Sequence, residues 1–99
     1  IKAVYDFKDK IFHVHFKDIR LYPDKLAVCG VMAYPLEYMA PKIPGQGDVN
    51  WAGFISALND IRYNGFTAIE IEDKAYEGSF ESVLSSIRLA KKYLNNFIE

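Results

Sequence analysis

The chain has 99 residues, of which 51% are hydrophobic and 15% aromatic, and its formal net charge at pH 7 is -1. This length allows one compact domain at most, and the composition excludes a disordered chain. The sequence has no basic run interleaved with aromatic residues, so we do not expect it to bind nucleic acid. It has no signal peptide and no apolar run of roughly 18 to 20 residues, so we do not expect it to bind a membrane. Because Cys29 is its single cysteine, we expect a cytoplasmic protein.

The first predicted strand covers residues 11–17, where apolar and polar side chains alternate. Residues 1–9 before it are a helix tail or a linker. Because the first residue is Ile1 and not Met, we expect a longer protein or a trimmed sequence. Alternate side chains of a strand share a face. One face carries polar residues that can bind a metal or a substrate: His13, His15 and Lys17. The other face is apolar: Phe12, Val14 and Phe16.

A long connection is predicted over residues 19–50, because its four prolines argue against a long helix. Gly45-Gln46-Gly47 resembles a phosphate cradle, but a single Gly-x-Gly is a weak pattern, and we favour a tight turn. The next helix is predicted over 51–63, with Asp48 or Asn50 as its N-cap and Asn64-Gly65 as its stop. The residues of this helix that we expect in the core are Trp51, Phe54 and Leu58.

The second predicted strand covers residues 66–72, and the last helix covers 79–97, opened by Gly78-Ser79. The polar face of this strand carries Ala68, Glu70 and Glu72, opposite Thr67, Ile69 and Ile71. Helical spacing predicts one buried side for the last helix, formed by Phe80, Val83, Leu84, Ile87, Ala90, Leu94 and Phe97. A strand–helix–strand order predicts a parallel pair, which is marginal alone. We therefore expect about a quarter of a larger α/β barrel.

Each polar residue on these faces has two interpretations. Glu70 can bind a metal, or it can form a salt bridge with Lys17 on the neighbouring strand. Lys17 can stabilise negative charge on a substrate, or it can pair with a carboxylate. His15 can be a metal ligand or a histidine bonded to a backbone carbonyl. Asp18 falls on the opposite face, where we expect it to cap the loop.

Five ordered motifs carry a resemblance to a known family. They are His13-Val-His-Phe-Lys-Asp18, Pro44-Gly-Gln-Gly-Asp-Val-Asn-Trp51, Phe54-Ile-Ser-Ala-Leu58, Asn64-Gly65 and Ile69-Glu-Ile-Glu-Asp73. Together they resemble the end of the sugar phosphate isomerase/epimerase family, xylose isomerase-like TIM barrels that use a divalent metal. The resemblance implies an α/β fold in which residues 1–99 are a C-terminal fragment of a TIM (β/α)8 barrel. This fragment, incomplete in this chain, corresponds to about strands 7 and 8 with their helices.

The resemblance also implies a site. His15 and Glu70 would bind a divalent metal ion (Mn, Mg, Co or Zn) in the full barrel, and Glu70 and Lys17 would be catalytic. The substrate-binding residues would be His13, Arg20 and Glu72. The sequence departs from the family at Ile71, where many members have a histidine. No histidine follows His15, which disfavours the apurinic endonuclease branch.

We therefore expect part of a metal-dependent isomerase or epimerase that moves a proton next to the carbonyl of a sugar or polyol, with the fragment alone inactive. An inosose-type dehydratase of the same barrel family is an alternative, since it uses similar apparatus. Another alternative is a non-catalytic fragment or a self-associating half-barrel. Copies could then form a homo-oligomer through Phe12, Val14, Ile69 and Ile71. An apurinic endonuclease-like nuclease is the least favoured.

Overall fold

A computed structural model of the chain describes residues 1–98; Glu99, the last residue of the predicted fragment 1–99, lies outside that part. Over these residues the fold is mixed α/β, with small sheets and four α-helices. The helices are α1 (Lys2–Asp6), α2 (Pro23–Cys29), α3 (Trp51–Asp60) and α4 (Phe80–Leu94). The strands are β1 (Val14–Phe16), β2 (Asp18–Leu21), β3 (Met39–Lys42) and β4 (Thr67–Ile69). Short 3-10 helices cover Lys8–Lys10, Pro35–Glu37 and Lys74–Tyr76.

Strands β1 and β4 form a parallel pair, in the register His15 opposite Ala68. The parallel arrangement predicted from the strand–helix–strand order is therefore confirmed. Both strands lie inside the predicted ranges 11–17 and 66–72 but are only three residues long. One further bond, from Glu70 N to Phe16 O at 3.0 Å, extends the pairing toward the carboxyl ends.

The prediction of a single long connection over 19–50 is wrong, because this segment contains β2, α2 and β3. Strands β2 and β3 pair antiparallel, with Asp18 opposite Lys42. The prolines do not prevent these elements, since they occupy positions that need no backbone N–H. Pro23 opens α2, Pro35 opens a 3-10 helix, and Pro41 lies in a two-stranded sheet, where each strand has a free edge.

The hydrophobic core lies between the parallel pair and helices α3 and α4. Val14 and Phe16 supply the strand side, and the ring of Phe16 meets the Trp51 ring edge-on at 5.3 Å. Trp51 and Leu58 are buried, as predicted, and the predicted core residue Phe54 is half-buried against the same cluster. Apolar side chains of four elements thus meet in one cluster: Val4, Val14, Phe16, Trp51, Ile55, Leu58 and Leu94.

The predicted apolar faces are only partly buried. Phe12 is 81% exposed, because it lies before the paired residues of β1 and no strand of residues 1–98 lies beside it. Val14 is buried in the core, as its place on the apolar face of the strand predicts, whereas the self-associating alternative needed it exposed. On the predicted face of helix α4, Ala90 and Leu94 are buried as expected, but Phe80 is 80% and Ile87 40% exposed. The residues that α4 buries are spaced by four and include two small ones, which allow close approach: Ser86, Ala90 and Leu94.

The helix starts follow the sequence, but the end of α3 does not. Asn50 caps α3 by accepting from Gly53 N at 3.0 Å, and Ser79 caps α4 by accepting from Ser82 N at 3.1 Å. The predicted stop at Asn64-Gly65 is wrong, since α3 ends at Asp60 and Arg62 takes the left-handed conformation with φ 57°.

The molecule is flat. It measures 39 × 35 × 20 Å, and its radius of gyration is 15.1 Å. A compact domain of this length would have a radius of gyration of about 13 Å. None of the helices in residues 1–98 combines the length and the apolar character that crossing a membrane demands.

Candidate functional site at the strand ends

Four of the predicted site residues meet at the carboxyl ends of β1 and β4. The parallel register brings the residues after Phe16 and after Ile69 to the same edge of the sheet. There Glu70 Oε2 lies 3.2 Å from His15 Nδ1, and Glu70 Oε1 accepts a hydrogen bond from Lys17 Nζ at 3.2 Å. Lys17 Nζ also lies 3.1 Å from Glu72 Oε2. These four residues, His15, Lys17, Glu70 and Glu72, are the strand-end cluster.

The charges of the strand-end cluster stabilise one another. The hydrogen bonds that the Lys17 ammonium donates to Glu72 and Glu70 raise its pKa above the ordinary value. The Lys17 ammonium, followed by the His15 ring, lowers the pKa of the Glu70 carboxyl. Both shifts favour the charged forms. At neutral pH, therefore, Lys17 is a cation that can stabilise negative charge, and Glu70 is a carboxylate that can accept a proton.

His15 and Glu70 suit a divalent metal as two of its ligands. An imidazole nitrogen and a carboxylate oxygen are donors that Mn, Co and Zn accept. Their 3.2 Å separation is close to the roughly 3.0 to 3.4 Å between two donors that each lie about 2.0 to 2.1 Å from one ion. Within residues 1–98 no group of three or more His, Cys, Asp or Glu side chains could hold a metal ion. The described chain thus offers two of the ligands that such a site needs.

The other two predicted substrate-binding residues behave differently. The His13 ring packs edge-on against the His15 ring at 4.9 Å, so it adjoins the strand-end cluster through a ring contact. Arg20, on β2, donates from its guanidinium to Gln46 O at 3.0 Å. Gln46 Nε2 in turn donates to the Tyr76 hydroxyl at 3.0 Å. Arg20 therefore links β2 to the turn that contains Gln46, and Gln46 links this turn to the last 3-10 helix.

The buried Asp18 carboxylate organises the loop behind the strand-end cluster. It accepts from Gly45 N at 2.9 Å, from Gly47 N at 3.2 Å and from Val49 N at 3.1 Å. It also accepts from its neighbour Ile19 N and from Trp51 Nε1, both at 2.8 Å. The loop-capping role expected for Asp18 is confirmed, and Gly45-Gln46-Gly47 forms a turn, with Gln46 N bonded to Ile43 O at 3.0 Å.

Both glycines of this turn are required by close neighbours. Gly45 has φ 102°, and a Cβ there would lie 2.7 Å from the Tyr93 ring. A Cβ at Gly47 would collide with the Asp18 carboxylate and with the Ile19 carbonyl oxygen. The pairing of Asp18 with a downstream Gly-x-Gly is the sequence signal that could have indicated this arrangement.

A second buried carboxylate, Asp73, holds the loop after β4. It accepts from Ile43 N at 3.1 Å and from Ala75 N at 3.0 Å, and Lys42 Nζ lies 3.8 Å from it. Asp73 is 1% exposed. The sequence motif Ile69-Glu-Ile-Glu-Asp73 placed Asp73 just after the second predicted strand. Its hydrogen bond with Ile43 could not be predicted, because the two residues meet only in the folded chain.

A cavity of about 290 Å³ opens beside Glu72. Its apolar wall comes from Leu36, Met39 and Pro41, which lie on or just before β3. Its charged wall comes from Lys42 and from the segment around the last 3-10 helix, which contributes Glu72, Asp73, Lys74 and Glu77. Glu72 lines the cavity and also contacts Lys17, so the cavity lies directly next to the strand-end cluster.

No family model matches the chain, and no curated protein matches it significantly.

Proposed function

We propose that the chain provides the last two βα units of a TIM-barrel enzyme, a metal-dependent isomerase or epimerase that acts on a sugar or polyol. The observation that carries this proposal is the strand-end cluster. TIM-barrel enzymes place their chemistry at the carboxyl ends of parallel strands. Here His15 and Lys17 from one strand meet Glu70 and Glu72 from its parallel neighbour at that edge.

The flat shape supports the same proposal. A parallel pair normally has further strands beside it and helices on its outer side. Here helices α3 and α4 pack on one face of the pair, while the His15 and Glu70 side chains on the other are 57% and 40% exposed. In a complete barrel that second face would point to the interior, and its residues at the carboxyl ends of the strands would lie at the top, where residues from several strands form the site.

The residues of the strand-end cluster have distinct roles in the proposed reaction. Glu70, an ionised carboxylate at neutral pH, accepts the proton from the carbon next to the carbonyl. Lys17 remains protonated and stabilises the negative charge that develops on the substrate oxygen. Glu72 holds Lys17 at the site and accepts hydrogen bonds from substrate hydroxyls.

The metal would be held by His15 and Glu70, with its other ligands coming from outside the described residues. When bound, it would polarise the carbonyl and hydroxyl oxygens of the substrate. Of the two Glu70 oxygens, Oε2 faces His15 and Oε1 faces Lys17, so Oε1 would be the oxygen that accepts the substrate proton.

The experiment that tests the proposed function is deuterium incorporation. The full-length polypeptide that carries these residues is incubated in D2O with Mn²⁺ and a panel of aldoses and ketoses, both free and phosphorylated. We expect deuterium on the carbon next to the carbonyl of at least one sugar, detected by mass spectrometry. Glu70→Gln should lower the rate by about 100-fold or more, which is the usual contribution of a general base.

The matched control is Glu81→Gln, the same change on the exposed first turn of α4, which should leave the rate unchanged. Incorporation by Glu70→Gln at the full rate would overturn the role of Glu70. No incorporation with any sugar would overturn the proposed function. Incorporation accompanied by loss of a hydroxyl would identify the dehydratase alternative, because proton removal next to a carbonyl can also expel water.

A further inference from the structure

We propose that the cavity between β3 and the last 3-10 helix binds the hydroxylated end of an unphosphorylated sugar or polyol substrate. This inference rests on the proposed function and names the substrate class of that site. The cavity adjoins the strand-end cluster through Glu72, which lies 3.1 Å from Lys17. A substrate whose reacting carbon lies at Glu70 would therefore extend its other end past Glu72 into the cavity.

The two walls of the cavity match the two kinds of surface on a sugar. Leu36, Met39 and Pro41 offer an apolar wall to the C–H face of a carbon chain. On the charged wall, the carboxylates of Glu72 and Glu77 can accept hydrogen bonds from hydroxyls. The volume of about 290 Å³ lies just below the range of small-molecule sites, which begins at about 300 Å³.

The charges of the cavity disfavour a phosphate. Three carboxylates, Glu72, Asp73 and Glu77, face two lysines, Lys42 and Lys74. Lys42 and the buried Asp73 carboxylate, 3.8 Å apart, partly balance each other, which leaves Glu72 and Glu77 against Lys74. A phosphate that carries nearly two negative charges would meet an excess of carboxylates, and like charges brought together oppose binding.

Several backbone N–H groups of the two loops at this edge already donate to carboxylates of the chain. TIM barrels frequently bind phosphate with the loops after strands 7 and 8, through backbone N–H groups. In the corresponding first loop, the N–H groups of Gly45, Gly47 and Val49 all donate to Asp18. In the second loop, the N–H of Ala75 donates to Asp73. In both loops, therefore, N–H groups are directed to a carboxylate of this chain and are not free to bind a phosphate.

The test is an NMR titration of the full-length polypeptide with xylitol and with xylitol 5-phosphate, which carry the same carbon chain and do not react. We expect xylitol to shift the signals of Leu36, Met39 and residues 72–77. We expect xylitol 5-phosphate to bind at least about tenfold more weakly, because it adds like charge. Glu77→Lys should reduce this ratio by about tenfold or more, since it replaces a carboxylate of the cavity with a cation.

The control is Glu81→Lys, the same charge change on α4 at a residue that does not line the cavity; it should leave the ratio unchanged. Tighter or equal binding of the phosphate ester would overturn the inference, and so would xylitol shifts confined to other residues. Deuterium incorporation with phosphorylated sugars alone would overturn the inference while supporting the proposed function. Cavity shifts with no deuterium incorporation would keep the binding site and overturn the function.

Discussion

The Asp18 carboxylate fixes the conformation of the loop over residues 45–51 by accepting hydrogen bonds from several of its residues. Its donors come from residues 45, 47, 49 and 51 and from the adjacent residue 19. Hydrogen bonds to a charged acceptor are stronger than neutral ones, and those made in a buried site are costly to lose. Because Asp18 follows Lys17 directly, the hydrogen bonds of Asp18 also fix the backbone next to Lys17, whose side chain contacts Glu70.

Replacement of Asp18 by Asn should destabilise the protein by about 3 kcal/mol, since an amide offers one acceptor oxygen and brings an NH2 group toward backbone donors. The measurements are urea unfolding and amide hydrogen exchange at Gly45, Gly47 and Val49, which should become faster. Asp48→Asn is the control, because exposed Asp48 accepts a single bond in the described chain, from Leu21 N at 2.7 Å. Its cost should be about 1 kcal/mol or less. Equal effects of the two substitutions would contradict the organising role of Asp18.

The Lys17–Glu70 pair should contribute stability over a defined range of pH. The folded state lowers the pKa of Glu70 below its ordinary 4.5, so the contribution of this carboxyl is present above pH 4.5 and is lost as the pH falls through the lowered value. The folded state raises the pKa of Lys17 above its ordinary 10.5, so its contribution is complete below pH 10.5 and is lost as the pH rises further.

The measurement is the urea midpoint of the native protein and of Glu70→Gln between pH 2.5 and 7. We expect a higher midpoint for the native protein near neutral pH, and a difference that disappears as the pH falls below 4.5. Added salt should reduce the difference, because the pair is partly exposed. A difference that stayed constant down to pH 2.5 would show that the ion pair is not its cause.

Residue-level predictions succeeded where the strand period alone determines the neighbours. The alternation of polar and apolar residues placed His15 and Lys17 on one face and Glu70 and Glu72 on the other strand, and the parallel register brought them together. The partner of Arg20 could not be predicted, because Gln46 reaches it only after β2 and β3 pair. Local pattern carries no information on such contacts.

At the scale of the elements, helix α3 ends with a Schellman motif that the sequence does not indicate, because it lacks the usual glycine. Tyr63 N donates to Leu58 O, and Arg62 N donates to Asn59 O, both at 2.9 Å. This pattern needs a left-handed residue at position 62, which is usually glycine, but here it is Arg62 with φ 57°. Tyr63 packs against the core that contains Leu58, and this contact ends the helix before Asn64-Gly65.

Arg62→Gly should stabilise the protein by about 1 kcal/mol, because glycine adopts the left-handed conformation without the steric cost of a Cβ. The measurement is the urea or thermal unfolding midpoint. Arg88→Gly, the same change at an exposed position inside α4, should destabilise by about 1 kcal/mol, since glycine is a poor residue in a helix interior. A loss of stability in Arg62→Gly would mean that the side chain of Arg62 stabilises the fold more than its conformation costs.

The elements that the sequence predicted best are those with strong periodicity or clear caps. The starts of α3 and α4 followed from Asn50 and Ser79, whose side chains accept backbone N–H groups at the helix starts. Strands β2 and β3 were missed, because β3 shows no alternation of polar and apolar residues and contains Pro41, and because their pairing joins residues about 20 apart. The shorter strands β1 and β4 lie within longer alternating stretches, which reveal a period.

At the scale of the whole molecule, two small sheets share one flat body. The parallel pair carries the strand-end cluster, and the antiparallel pair supplies one wall of the cavity beside it. Only one of these sheets follows from the sequence pattern, which explains why the cavity was not predicted while the cluster was. The segment between residues 28 and 36 adds a further surface with large exposed apolar side chains, among them Val28 at 90% and Met32 at 95%.

The pairing of β1 with β4 has a consequence for synthesis on the ribosome. Residue 67 leaves the ribosome about 50 residues after Phe16, which corresponds to a delay of roughly 3 to 10 seconds at usual translation rates. During this interval Val14 and Phe16 have no partner strand, and Trp51 reaches them only after most of the delay. The nascent chain therefore passes through a stage with an uncovered apolar strand, when chaperone binding and mispairing compete with folding.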